Sequence, residues 1–224
     1  MKKNKFNIDL VEFPKLKQHN PETGSRYYTR EGSELRYPSV TSVTGLKNAH
    51  FIRQWRERVG EEEANRVSKR AIGIGNTVHN LMENYLQGEV PEGLMPIHQE
   101  PFEHLKDFAD KSINNVRAIE GQMFSDHLSV AGTSDVVCEV DGVMSIVDWK
   151  TSGKKKSKSQ ITNYFCQAAA YAVMFEEHTK IPVSQLVIAI ACGTGEFQLF
   201  QEKRDDWIQE FKNLRSQYKD IYGV

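Results

Sequence analysis

Read by the period of its apolar positions, the chain alternates helix-like and strand-like segments. From Asn48 to Arg70, Phe51, Ile52, Trp55 and Val59 recur at helical spacing, which predicts a charged helix that buries this stripe. A second helix opens at Gly73 and Gly75 and runs to Leu86, with Ile74, Val78, Leu81, Met82 and Tyr85 on its apolar face. Gln87 to Pro101 contains Pro91, Gly93, Pro96 and Pro101 and predicts a loop. Helical spacing returns from Phe102 to Asn115, with Phe102, Leu105, Phe108, Ala109 and Ile113 inward. The period then shortens to that of strands: Val116 to Phe124, then Val136 to Val140, then Val143 to Val147. Between the last two stands Asp141-Gly142, a strong signal for a two-residue hairpin turn.

Ile161 to His178 predicts a long helix whose Ala168, Ala169 and Ala170 permit close packing on a sheet. Leu186 to Ala191 is almost wholly apolar, as a strand covered on both faces is. Gly193-Thr194-Gly195 turns the chain into a strand at Phe197 to Phe200. Asp205 to Tyr222 closes it as an amphipathic helix with Trp207, Ile208, Phe211, Leu214 and Tyr218 inward. The N-terminal signals are weaker. Met1 to Lys17 predicts a flexible or peripherally docked arm, and turns at Asn20–Gly24 and Glu31-Gly32 flank a short strand at Arg26–Thr29. Helices, three strands, a helix, two strands and a helix make an α/β chain.

Composition narrows the class. The 224 residues suit one domain with a full core. Hydrophobic residues are 39%, charged residues 26% and mean hydropathy is −0.56, and no apolar run reaches the length of a membrane span. The opening MKKNKFNIDLVEFP has no apolar core of a signal peptide, and its Asp9 and Glu12, without arginine, argue against a transit peptide. A cytoplasmic protein of a bacterium or a phage-infected cell is expected. Formal net charge is −1, so a nucleic-acid partner would have to meet a local positive surface. Cys138, Cys166 and Cys192 are far apart, which gives neither a disulfide framework nor metal-binding spacing and predicts buried, reduced thiols.

The chemistry gathers at the predicted hairpin. Asp135 begins its first strand and Asp148 and Lys150 end its second, so the turn brings two carboxylates and an ammonium to one open end of a sheet. Asp148 and Lys150 share a face, and Trp149 points the other way. Paired carboxylates suit a hard divalent cation, and a neighbouring lysine suits orienting a water or meeting charge on a phosphate. The same spacing also describes a salt-bridged strand end, and spacing alone does not choose between them. Just beyond, Lys154, Lys155, Lys156 and Lys158 form a basic loop: a solvated run or, beside a metal site, a contact for phosphate backbone.

The segment VDWKTS, with the upstream strand GTSDVV, the preceding VRAIE and the downstream QAAAYA, resembles the PD-(D/E)xK nuclease superfamily. Within it the chain is most similar to the RecB-like branch, which includes the mitochondrial genome-maintenance exonuclease and related phage exonucleases. The likeness runs from about Tyr37 to Phe200. It implies a central mixed β-sheet flanked by helices, with an N-terminal helical extension. A single nuclease domain would then span 1–224, divided as arm and hairpin (1–36), a mainly helical part carrying His79 (37–115), the nuclease core (116–204) and a C-terminal helix (205–224). It further implies a metal-dependent DNA exonuclease preferring single-stranded ends, in replication, recombination or repair, with other proteins of those processes as further partners. A double-strand 5′→3′ recombination exonuclease or a structure-specific endonuclease would share the same site. A catalytically silent DNA-binding module is the reading of another class, and the intact Asp135, Asp148, Lys150 set argues against it.

Residue by residue, the resemblance implies that Asp135 and Asp148 hold Mg²⁺ or Mn²⁺, with the Trp149 carbonyl completing the shell and Lys150 activating water. His79 taken alone is an ordinary helical histidine, but its place in the motif order implies a metal ligand, and an imidazole favours manganese tolerance. Glu120 matches the glutamate before the G-x-x-D strand, as a further ligand or a base; Glu83 has weaker support. The Gln-x-x-x-Tyr motif implies that Gln167 holds the lysine or a phosphate and that Tyr171 contacts substrate. The P-S-V-T segment implies a place at the mouth of the DNA channel, where Ser39, Thr41 and Ser42 could meet phosphates; one of them could equally cap the next helix. The chain lacks the four cysteines with which some relatives hold an iron–sulfur cluster.

Overall fold

The structure is a computed structural model and describes residues 5–21 and 24–224. Strands β1 (Leu16–His19), β2 (Tyr27–Arg30) and β3 (Arg36–Pro38) form a small antiparallel sheet ahead of helices α1 (Val40–Val59), α2 (Glu61–Leu86) and α3 (Pro96–Ser112). The main sheet follows, in spatial order β4 (Ile113–Ser125), β5 (Val130–Val140), β6 (Val143–Ser152), β7 (Gln185–Cys192) and β8 (Glu196–Lys203). Helix α4 (Thr162–Thr179) crosses from β6 to β7 and makes that pair parallel, while the other neighbours are antiparallel. Helix α5 (Ile208–Tyr222) ends the chain.

The β5–β6 hairpin is the expected one. Asp141 (φ 51°) and Gly142 (φ 80°) both take left-handed backbone, as the tight turn that matches strand twist requires. Alternation then sorts the sheet into two faces. Val137, Ile146, Ile188 and Ile190 meet α4, α5 and the start of α1 through Phe165, Phe175, Phe211 and Val43. Val136, Val147, Trp149 and Val187 meet α2 and α3 through Val78, Met82, Leu105 and Phe108. Cys138, Cys166 and Cys192 are buried and unbridged. Among the described residues, no helix is long and apolar enough to cross a membrane.

The helical part departs from the expected boundaries. Helix α1 begins at Val40 and stops at Gly60, whose φ of 87° breaks the helical path, and α2 then runs unbroken through Gly73 and Gly75. Phe51 and Ile52 are 68% and 50% exposed, contrary to the buried stripe that periodicity predicts. Only the first turns of α1 lie over the sheet, where Val40, Val43 and Thr44 are buried. The expected loop to Pro101 ends earlier, because Pro96 occupies the first helical position of α3, where its missing N–H costs nothing. Pro101 sits inside that helix, buried, and Ile113 opens β4 rather than ending a helix.

The N-terminal arm is docked on the sheet. Val116 N–H donates to the Asn7 carbonyl at 2.8 Å, and Asp9 and Val11 donate to the Val116 and Arg117 carbonyls at 2.9 and 2.8 Å. The arm continues into β1, a strand its polar sequence did not announce. Residues 1–4 of the arm, and Glu22 and Thr23 of the turn expected at Asn20–Gly24, lie outside the described residues.

Candidate active site

The β5–β6 ladder is paired up to Val136 opposite Val147. One residue beyond, Asp135 Oδ2 accepts the Trp149 N–H at 2.8 Å, so a carboxylate replaces a ladder bond and is fixed by the neighbouring backbone. In an extended strand the N–H and C=O of one residue project to the same side, so the Trp149 carbonyl also faces Asp135. Asp148, 2% exposed, receives the Gln167 amide on Oδ1 at 3.2 Å. Its Oδ2 lies 2.6 Å from Lys150 Nζ, a buried ion pair. The Lys150 ammonium stands 5.0 Å from the centre of the Tyr164 ring.

Two more elements close the group. In β4, Glu120 falls between Ile119 and Gly121, which face Val136 and Ser134, and so it stands across from Asp135. Its φ of 46° is left-handed, uncommon for a residue with a side chain, and this kind of local backbone cost concentrates at functional sites. From α2, His79 Nδ1 approaches Asp135 Oδ1 to 3.4 Å. His79, Glu120 and Asp135 each bring one ligand atom to within 4.8 Å of the others.

The charges of this group are not balanced by the protein. Burial, and then the charge of Asp135, push the Glu120 carboxyl from 4.5 up to about 7, and Glu83, one turn beyond His79, adds to the push. Burial also raises Asp148, outweighing the pull of Lys150, with Asp135 adding to it. Burial would raise Asp135 too, but His79, Lys150 and the Trp149 N–H together hold it below its ordinary value. For Lys150 and His79 burial works downward, yet the neighbouring carboxylates prevail and both are raised. Crowded oxygen donors and two carboxyls pushed upward suit a hard divalent cation. The donor set of carboxylates, one imidazole and a backbone carbonyl fits Mg²⁺ or Mn²⁺.

The other expected site residues are placed differently. Gln167, expected to hold the lysine or a phosphate, gives its amide to Asp148, the partner of that lysine. Tyr171 is 2% exposed and lies beneath Gly132, where an added Cβ would stand 2.8 Å from its hydroxyl. That approach is why a glycine begins the G-x-x-D segment. Ser39 occupies the capping position of α1, but its buried hydroxyl pairs with Thr41 at 2.7 Å and caps nothing. Thr41 is exposed and Ser42 half-buried. In the basic loop, Lys155 and Lys158 pair with Glu196 and Glu202 at 2.6 and 2.5 Å, while exposed Lys154 and half-buried Lys156 have no ion pair among the described residues. Tyr164 is the neighbour of Lys150 that the sequence reading passed over; its position three residues before Gln167 on one helix face was the available signal.

Comparison with known proteins adds a family and relatives. The model of the PD-(D/E)XK nuclease superfamily matches residues 95–221. Mitochondrial genome maintenance exonuclease 1 of Mus musculus is 26% identical over 197 residues, which cover 77% of this chain and 57% of the relative. The Homo sapiens protein of the same name is 30% identical over 139 residues, covering 56% and 39%. The chain thus spans about half the length of the curated relatives it matches. A solved protein of Eubacterium rectale aligns with a TM-score of 0.44 and 15% identity over 64% of each chain.

Proposed function

The chain belongs to the PD-(D/E)XK nuclease superfamily, and from that premise we propose that it is a metal-dependent DNA exonuclease preferring single-stranded ends. The observation that carries the proposal is the meeting of His79, Glu120 and Asp135 within 4.8 Å, beside the Asp148–Lys150 pair. Asp135, Asp148, Glu120, His79 and the Trp149 carbonyl would hold Mg²⁺ or Mn²⁺. Such an ion, when bound, polarises the scissile phosphate and stabilises the leaving oxygen.

The protein's own groups supply position and protons. Trp149 N–H fixes Asp135, and Gln167 fixes Asp148. Lys150, kept protonated by Asp148 and Asp135, donates to the attacking water or to a phosphate oxygen and so orients the attack; an ammonium takes no proton. Glu120, which burial and Asp135 push upward in the absence of an ion, would be held ionised once it joins Asp135 and His79 on the metal. Residues 1–224 would act as one nuclease unit, with roles in replication, recombination or repair.

The test uses single-stranded and duplex DNA labelled at either end, in Mg²⁺, Mn²⁺ or EDTA, with Lys150→Ala as control. Shortening of the single strand from an end, absent in EDTA and in the variant, is the expected result. Equal degradation of blunt duplex would replace the strand preference with a duplex exonuclease. DNA binding in EDTA with no cleavage under any condition would leave a silent binding module.

A further inference from the structure

We propose that the cleft between the N-terminal arm and the outer edge of β4 is a nucleotide subsite that receives a base beside the scissile phosphate of a single DNA strand. The inference rests on the nuclease reading above. The arm follows β4 as far as Val11, whose N–H reaches the Arg117 carbonyl, and then leaves the strand. Phe13 turns inward, its ring 6.1 Å from that of Phe175 and 5.7 Å from that of His178. Between the departing arm and the strand lies a cavity of about 260 Å³, with Leu10, Val11 and Lys15 on one side and Ile119, Glu120 and Gln122 on the other.

Its position and its chemistry both fit a nucleotide. Glu120 lines this cavity and is also a member of the group with His79 and Asp135, so the cavity adjoins that group through one residue. β4 is an edge strand. Beyond Arg117, no backbone bond joins it to the arm among the described residues. Its outer N–H and C=O groups are therefore available to the polar edge of a base, as exposed strand edges generally are to an incoming partner. Leu10 and Val11 offer aliphatic surface to the faces of the base. Lys15 is exposed at the mouth, without an ion pair among the described residues, and supplies a cation for the phosphate. Leu10 is 53% exposed, while Phe6 and Phe13 anchor the arm, so neither Leu10 nor Lys15 is needed to hold it.

Leu10→Ala, which removes aliphatic surface without adding charge, and Lys15→Glu test the subsite, since both positions face solvent and thermal melts verify that each variant folds. Initial rates are measured on a single strand with normal bases and on one that is abasic over its end segments. Each substitution is expected to raise KM on the normal strand about tenfold, the scale of one base contact, with the effect on KM rather than on kcat. On the abasic strand the Leu10→Ala effect disappears and the Lys15→Glu effect remains, because the phosphates are kept and only the base is missing. KM within about twofold of the parent protein for both variants would overturn the subsite, as would an equal Leu10→Ala penalty on both strands. Failure of the parent protein to cleave any DNA would instead overturn the nuclease reading itself.

Discussion

Asp148 and Trp149 are neighbours in β6, equally buried at 2% and 1% exposure, and they look into opposite faces of one sheet. Trp149 meets the edge of Phe108 at 6.1 Å among Val78, Val147 and Val187, a face made of apolar contact. Asp148 meets the Gln167 amide on one oxygen and the Lys150 ammonium on the other. Burial of the tryptophan contributes stability through area removed from water, whereas burial of the carboxylate costs free energy that the ammonium only partly offsets. Equal burial therefore has opposite meanings on the two faces: one holds the sheet together, and the other keeps charges close and underhydrated for chemistry.

The widest separation of the two faces comes from substitutions at Asp148, Trp149 and Lys150. Lys150→Ala is expected to lower the rate about 10²- to 10⁴-fold, read by end-labelled cleavage. The paired change Asp148→Asn with Lys150→Met removes a buried ion pair, which is often neutral or stabilising, so its melting temperature should equal or exceed that of the parent protein. Unfolding of that double variant would erase the contrast. On the other face, Trp149→Ala should cost about 3–5 kcal/mol in urea unfolding, the usual scale for a buried large aromatic.

Gly132→Ala tests the floor between sheet and site. The new methyl group would press on the Tyr171 ring, and overpacking of this kind costs about 1–3 kcal/mol in denaturant unfolding. Unchanged stability would mean that Tyr171 moves aside without penalty.

The smallest expected effect is a dependence on pH in EDTA. Glu120 titrates near 7 in the folded protein, against an ordinary 4.5. Between those values the folded state keeps a proton that the unfolded chain has released, so stability falls as pH rises through the window. The upward shifts of Asp148 and His79 act in the same sense, and the lowered Asp135 acts only below its ordinary value of 3.8. Thermal melts should show this fall, flattened in Glu120→Gln and reversed most by Mn²⁺ at the upper end. A melting temperature that rises with pH in EDTA would contradict this placement of charge.

Sequence alone determined what local rules control. Asp141-Gly142 specified a turn, a period of two specified which side chains share a face, and Asp135, Asp148 and Lys150 were thereby brought to one strand end. The family motifs then supplied the nuclease fold through VDWKTS and GTSDVV. Tertiary packing alone decided the rest. The periodicity of Phe51 and Ile52 could not reveal that these two side chains stand exposed on α1. The sequence of Gln167 could not say which partner would lie 3.2 Å away, nor that of Lys155 that Glu196 would claim it. Asn7 to Val11 carried no strand pattern, because an arm that pairs on one edge needs only backbone groups, which every residue has. Local geometry repeats with the chain and is written in its order. Contacts between distant segments depend on where whole elements come to rest.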